Sequence, residues 1–294
     1  MAMSATVRLA FRPPLDWAGL LGFLAPRATP GVEAVAGGVY RRTIALGDAA
    51  GTIAVRAAAG EPHLVMRVQL ARSARLRQIV KRTRRLFDLD ADPAPIAAHL
   101  ARSPELAPLV ARRPGLRVPG AWDGFELAVR AVLGQQVTVR GATTLAGRLV
   151  RVFGTPLDRS EDALTHLFPR PEALADADLP SIGLPRARAA TIRALAGAVA
   201  RGELVLDAPR GLEDAVARLA AIPGIGAWTA HYIAMRALGE PDAFPAADLG
   251  LRRALGNGAP LAPARVAERA EAWRPWRAYA AMHLWTALAA QEDT

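Results

Sequence analysis

One stretch, Leu219–Asp248, constrains this chain more than any other: LAAIPGIGAWTAHYIAMRALGEPDAFPAAD. Two apolar runs flank a tight Pro223-Gly224-Ile225-Gly226 turn, and a lone carboxylate, Asp248, follows about twenty residues later. A Gly-x-Gly hairpin that opens a helix leaves backbone N–H groups bare. With the positive end of the helix dipole, those groups suit a phosphate. The fragment alone does not decide the matter, because glycine turns also join packed helices in plain helical hairpins.

Charge adds to this. The 294 residues carry a formal net charge of +10, and Lys81 is the only lysine. The basic side chains are otherwise arginine, whose forked guanidinium fits phosphate oxygens and stacks on bases. Such a surface fits a polyanionic partner. A GC-rich coding bias explains arginine over lysine, but not the excess of bases over acids. Hydrophobic residues make up 52% and aromatics only 5%, so Ala, Leu and Val carry most of the packing. The absence of cysteine excludes disulfides, thiolate–zinc sites and iron–sulfur clusters. The first residues, MAMSATVRLAF, lack the apolar core of a signal peptide, and no apolar run approaches a membrane span. A soluble cytosolic protein is expected.

The first ninety or so residues mix strand and helix signals. His63–Leu70 alternates with Leu64, Met66, Val68 and Leu70 on one face; Gly51–Ala57 and Tyr40–Leu46 alternate less strongly. An antiparallel meander follows from these runs. Asp16 can cap a helix running through Leu20, Leu21, Phe23 and Leu24. A second helix, about Ala74–Phe87, carries Arg75, Arg77, Lys81, Arg82, Arg84 and Arg85 on its polar side, a solvated face or a DNA contact. After Asp90 the pattern turns helical almost throughout. Helices are expected near 96–100, 124–132, 137–153, 170–175, 185–201, 212–220, 228–238, 249–255, 263–272 and 277–289, with short Gly/Pro joints.

The segment Pro223–Asp248, with its Gly/Pro-rich loop and trailing aspartate, resembles the helix-hairpin-helix superfamily of base-excision DNA glycosylases. RPPLDWAGLLGFLAPRA (Arg12–Ala28), GLRVPGAWDGFELAVRAVLGQQVT (Gly115–Thr138) and WRPWRAYAAMHLW (Trp273–Trp285) look like its alkylation-repair branch, DNA-3-methyladenine glycosylase II of the AlkA type. The resemblance implies an α+β fold, with an antiparallel sheet and helices over 1–91 and an all-α core of two helical domains. One would span 123–240 with the hairpin; the other would combine 92–122 with 241–294 and carry Asp248. It also implies a cytoplasmic monomer on nucleoid DNA, acting on alkylated bases in duplex DNA, with no cofactor, no metal and no membrane.

Family positions place substrate-stacking aromatics at Phe23, Trp228, Tyr232 and Trp285, with Leu249 as an aliphatic wall where relatives carry tyrosine. Trp228 and Tyr232 share a helix face by their spacing. Singly, each aromatic is better explained by core packing; jointly, in these positions, they read as a pocket. A cationic alkylated purine over such rings gains about 0.5–2 kcal/mol of cation–π attraction. Asp248 is the expected catalytic carboxylate, although it also sits where an N-cap for the following helix belongs. DNA contacts fall to Gly224, Gly226 and Thr229, and to Gln136, which matches the position of the intercalating wedge. Where relatives that also nick DNA carry a Schiff-base lysine, this chain has Trp228, which implies hydrolysis by water. His231 and His283 read as packing or surface residues, and Asp242, Glu240 and Glu268 as exposed loop or helix-surface charges; Arg236, Arg252 and Arg253 read as solvated or phosphate contacts. Two other readings stay open: a same-fold glycosylase for oxidised or deaminated bases, and a non-catalytic hairpin protein that binds damaged DNA.

Overall fold

The computed structural model describes residues 3–47, 49–70, 76–161, 163–207, 211–256 and 259–292. Five antiparallel strands come first: β1 (Met3–Ala10), β2 (Glu33–Ala36), β3 (Val39–Leu46), β4 (Ala49–Ala57) and β5 (His63–Leu70). Their order in the sheet is β1-β5-β4-β3-β2. The β3–β5 meander follows the alternating runs seen in the sequence. Strands β1 and β2 are additions at the two edges, where one side of the backbone ladder is unpaired and alternation is less demanding. Leu64, Met66, Val68, Ile53, Val55, Tyr40 and Ile44 point into the core.

The helix Trp17–Leu24 starts where expected, with the Asp16 carboxylate accepting from the Gly19 N–H. Trp17 and Tyr40 both meet Phe87 edge-on, at 5.0 and 5.4 Å between ring centroids. The basic helix is described over Leu76–Leu86; Ala74 and Arg75 lie outside the described residues. Three of its arginines are engaged within the chain. Arg84 pairs with Asp90 and donates to the Ala10 carbonyl, Arg85 donates to the Asp207 carbonyl, and Arg82 lies over Trp122.

Beyond Asp90 the regular elements among the described residues are helices, with one exception. β6 (Thr155–Glu161) and β7 (Leu164–Leu167) form a two-stranded ribbon, and Gly31 bridges to Leu164. Pro156 and Asp158 hide this ribbon from a pattern search. A short helix at Ala107–Arg112 also escaped the periodicity, because Pro104, Pro108 and Pro114 break its surroundings. The last helix, Arg277–Glu292, returns to the earlier segment: Tyr279 donates to Asp88 at 2.7 Å, and the preceding helix pairs Arg269 with Glu105.

The sheet is bolted to the helices by buried charge. Arg42 on β3 pairs with Glu126 at 2.6 Å, and Arg130 pairs with Glu33 on β2 at 2.7 Å. Tyr40 donates its hydroxyl to Glu33. Burial alone would raise the Glu33 pKa, but Arg130 and Arg42 outweigh it and hold the carboxyl down to about 2. Glu126 and Arg130 lie one turn apart on the helix Gly124–Leu133, whose C-terminal end delivers Gln135 and Gln136 to the site below.

Candidate active site

The hairpin is built by two glycines with different constraints. Gly224 has φ +86°, and a Cβ there would lie 1.9 Å from Thr191 Oγ1, so neither the backbone nor the packing admits a side chain. Gly226 has φ −84° and is exposed, and among the described residues no atom lies within 4 Å of an added Cβ. The helix Ala227–Ile233 starts there and widens into a π-helical turn over Ala234–Leu238. Thr229 is buried. Gln135 Nε2 donates to both the Gly224 carbonyl and Thr229 Oγ1 at 3.0 Å, and Arg188 donates to the Gln135 carbonyl. Gln135, which the sequence did not single out, therefore ties the hairpin to the neighbouring loop. Gln136 follows, exposed and with φ +56°.

Asp248 caps the helix Leu249–Ala254, its Oδ1 accepting from Leu251 N–H at 3.0 Å. The same oxygen accepts from the Trp285 indole at 2.9 Å, and Oδ2 accepts from the Trp228 indole at 2.9 Å. Trp228 stacks on Tyr232 with 5.4 Å between centroids and 10° between planes, and Tyr232 meets Trp285 at 6.2 Å. Phe23, Trp228, Tyr232, Trp285 and Asp248 all line one cavity of about 380 Å³. Leu249 is not on its wall. It is 47% exposed; Val137 and Val139 are exposed too, and of these three apolar side chains only the two valines line the cavity. A larger cavity, about 600 Å³, lies against the basic helix and Tyr279, and none of the four predicted aromatics reaches it.

Three arginines complete the smaller cavity: Arg27, Arg130 and Arg236. Arg236 was read as solvated or phosphate-bound. It is buried, donates to the Tyr232 hydroxyl at 2.7 Å, and spends its other donors on the Pro119 and Gly120 carbonyls. Burial raises the Tyr232 pKa, but Arg236, Arg27 and Arg130 together outweigh it and leave the phenol lowered. The spacing held a clue: Arg236 follows Tyr232, and Arg27 follows Phe23, by one helical turn.

Two surface readings also change. Asp242 binds Arg277 and Arg274, and buried Glu240 accepts from the Gly211 N–H, because both acids close the loop between the hairpin and the last helix. Among the described residues no group of three His, Cys, Asp or Glu side chains is placed to hold a metal. No helix among them is long and apolar enough to cross a membrane.

An antiparallel sheet followed by a helical core, in which a glycine hairpin opens the helix that carries Trp228 to an aromatic cavity shared with Asp248, matches the helix-hairpin-helix glycosylase class. The chain belongs to the HhH-GPD superfamily of base excision DNA repair proteins, whose model matches residues 129–277, and it carries an AlkA N-terminal domain over 6–123. It is 36% identical over 288 residues to DNA-3-methyladenine glycosylase 2 of Escherichia coli, covering 97% of this chain and 98% of that protein. It is 44% identical to the probable bifunctional transcriptional activator/DNA repair enzyme AlkA of Mycobacterium tuberculosis, covering 98% of this chain but only 58% of that longer relative. The 3-methyladenine DNA-glycosylase of Archaeoglobus fulgidus superposes with a TM-score of 0.83 at 25% identity, over 95% of this chain and 97% of that one.

Proposed function

We propose that this protein is a monofunctional DNA glycosylase that hydrolyses the N-glycosidic bond of alkylated bases, of the 3-methyladenine and 7-methylguanine type, in duplex DNA. The observation that carries this reading is the Asp248 carboxylate fixed by two indoles at the edge of an aromatic cavity wide enough for a base. The target nucleotide leaves the stack at a cost of a few kcal/mol. Base–aromatic stacking returns about 1–3 kcal/mol per contact. Gln136 fills the gap in the duplex. The Gly226 N–H at the start of the helix Ala227–Ile233, with Gly224 and Thr229 shaping the hairpin, receives a backbone phosphate.

With the base in the cavity, the sugar lies beside Asp248. The C1′–N bond breaks and its electron pair stays on the base. Positive charge builds on the sugar, water adds at C1′ and gives up a proton to solvent, and the base, a cation while attached, departs neutral without taking up a proton. A carboxylate about 4 Å from that charge is worth on the order of 4 kcal/mol, roughly a thousandfold in rate. Trp228 occupies the place of the Schiff-base lysine, and Lys81 lines the other cavity, so water is the nucleophile and an abasic site is the product.

Incubation with methylated duplex DNA, followed by chromatography of the supernatant, tests the reading. Free methylated purine with an uncut strand is the expected result. Tight binding without base release would leave the non-catalytic hairpin protein as the better description. Release of oxidised or deaminated bases but not methylated ones would favour the same-fold alternative.

A further inference from the structure

The cavity carries a charge that a pocket for cationic purines would not be expected to carry. The Arg27 guanidinium lies 3.9 Å from the Phe23 ring centroid, and Arg236 lies 4.9 Å from it. Two cations therefore already sit against one of the four rings that a cationic base would use. Arg130 is neutralised by Glu33 and Glu126. Among the described residues neither Arg27 nor Arg236 has a carboxylate partner. Arg27 donates to the Phe23 carbonyl at 3.0 Å and is half-buried on the cavity wall.

The contacts run in sequence from Asp248 through Trp228 to Tyr232, then to Arg236, Phe23 and Arg27. If the sugar sits at Asp248, the base extends toward the guanidiniums. The Tyr232 phenol reports the field there: three arginines favour its anion against the opposing effect of burial.

Bases divide into two kinds at this point. An N-alkylated purine enters as a cation and leaves neutral. A neutral lesion, such as hypoxanthine, leaves with the bond's electron pair as an anion until it is protonated. A fixed positive charge repels the first in the cavity and stabilises the second as the bond breaks.

We propose that Arg27, supported by Arg236, is a specificity-determining residue that favours lesions departing as anions over lesions that are cationic before the bond breaks. This rests on the reading of the cavity as the base pocket. Aromatic stacking then serves both classes, while the arginine pair widens the range toward neutral bases.

The test compares hypoxanthine and 7-methylguanine release, as kcat/KM in the same duplex context, for wild type, Arg27→Met, Arg27→Gln and Arg27→Lys. Both lesions are measured on one preparation, so the ratio does not depend on the fraction folded. The hypoxanthine-to-7-methylguanine ratio falls at least about tenfold in the uncharged variants, as expected for a unit charge within about 5 Å acting on a partly formed anion. Arg27→Lys keeps a ratio closer to that of wild type. A ratio within about threefold of wild type in Arg27→Met and Arg27→Gln overturns the assignment. Wild type that releases 7-methylguanine but no hypoxanthine also overturns it, while leaving the glycosylase reading in place. Wild type that releases neither removes that reading itself.

Discussion

Trp285 gives its indole N–H to the same Asp248 oxygen that caps the next helix through Leu251 N–H. The carboxylate is thus pinned from the last helix and from its own, while Trp228 holds the second oxygen from the hairpin. Three segments distant in sequence agree on one position for one acid, and positioning of this kind is what a transition-state charge requires.

Asp248→Asn keeps an oxygen for the cap and removes the charge. Single-turnover base release is expected to fall on the order of a thousandfold, while the melting temperature moves by only a few degrees, since Asn caps helices about as well as Asp. Excision near the wild-type rate would show that the carboxylate has no electrostatic role.

Trp285→Phe retains an aromatic wall and deletes one donor. A hydrogen bond to a charged group contributes about 1.5–3 kcal/mol, so excision should slow by between about tenfold and a hundredfold. The loss should fall on the chemical step under saturating enzyme rather than on DNA affinity, which a gel-shift titration would check. Equal losses in both would mean that Trp285 supports the pocket rather than the carboxylate.

Much of this site was legible in the chain before its structure. The hairpin, the cap at Asp248 and the Trp228–Tyr232 face are local: each depends on a turn, a cap or helical spacing within a few residues. The arginines were not legible for the opposite reason. In a chain whose basic residues are nearly all arginine, nothing local distinguishes Arg27, Arg130 and Arg236 from those on the surface. Their roles come from carbonyls and rings far away in sequence, such as Pro119 and Gly120 for Arg236. Edge strands β1 and β2, and the β6–β7 ribbon, escaped for a related reason, because partners rather than alternation make them strands.

Gly224→Ala and Gly226→Ala should separate folding from DNA binding. At Gly224 the left-handed backbone and the contact with Thr191 combine, and the substitution should destabilise by at least about 2 kcal/mol in urea unfolding. At Gly226 the backbone and the space both admit alanine. Stability should stay within about 0.5 kcal/mol, while affinity for duplex DNA drops because the methyl group stands where a phosphate approaches the N–H. Wild-type affinity in Gly226→Ala would move the phosphate contact elsewhere.

His283 should mark the acid side of the stability profile. Burial, then the nearby Arg113 charge, lowers its pKa from 6.5 to about 4 against a smaller opposing effect of Asp16, and its Nδ1 has no hydrogen-bond partner among the described residues. The folded state favours the neutral ring, so its contribution is present above pH 6.5 and is lost as pH falls through about 4. Across that window the protein should lose on the order of 3 kcal/mol through this group. His283→Asn should show a flatter decline between those pH values in urea titrations, and an unchanged slope would remove His283 from the account.

Gln136 pits stability against function within one residue. Its φ of +56° costs a residue with a Cβ about 1–2 kcal/mol, and its side chain is exposed and recovers nothing from packing. Part of that cost would be offset by the backbone entropy that glycine loses on folding. Gln136→Gly should therefore be as stable as wild type, or more stable by under about 1 kcal/mol. Excision should move the other way. Without a side chain to plug the duplex, the flipped nucleotide returns more readily, and base release under limiting DNA should slow at least about tenfold. Release from a single-stranded substrate, which has no gap to fill, should be much less affected. Equal rates for Gln136→Gly and wild type on duplex DNA would show that the strained tip is not the wedge.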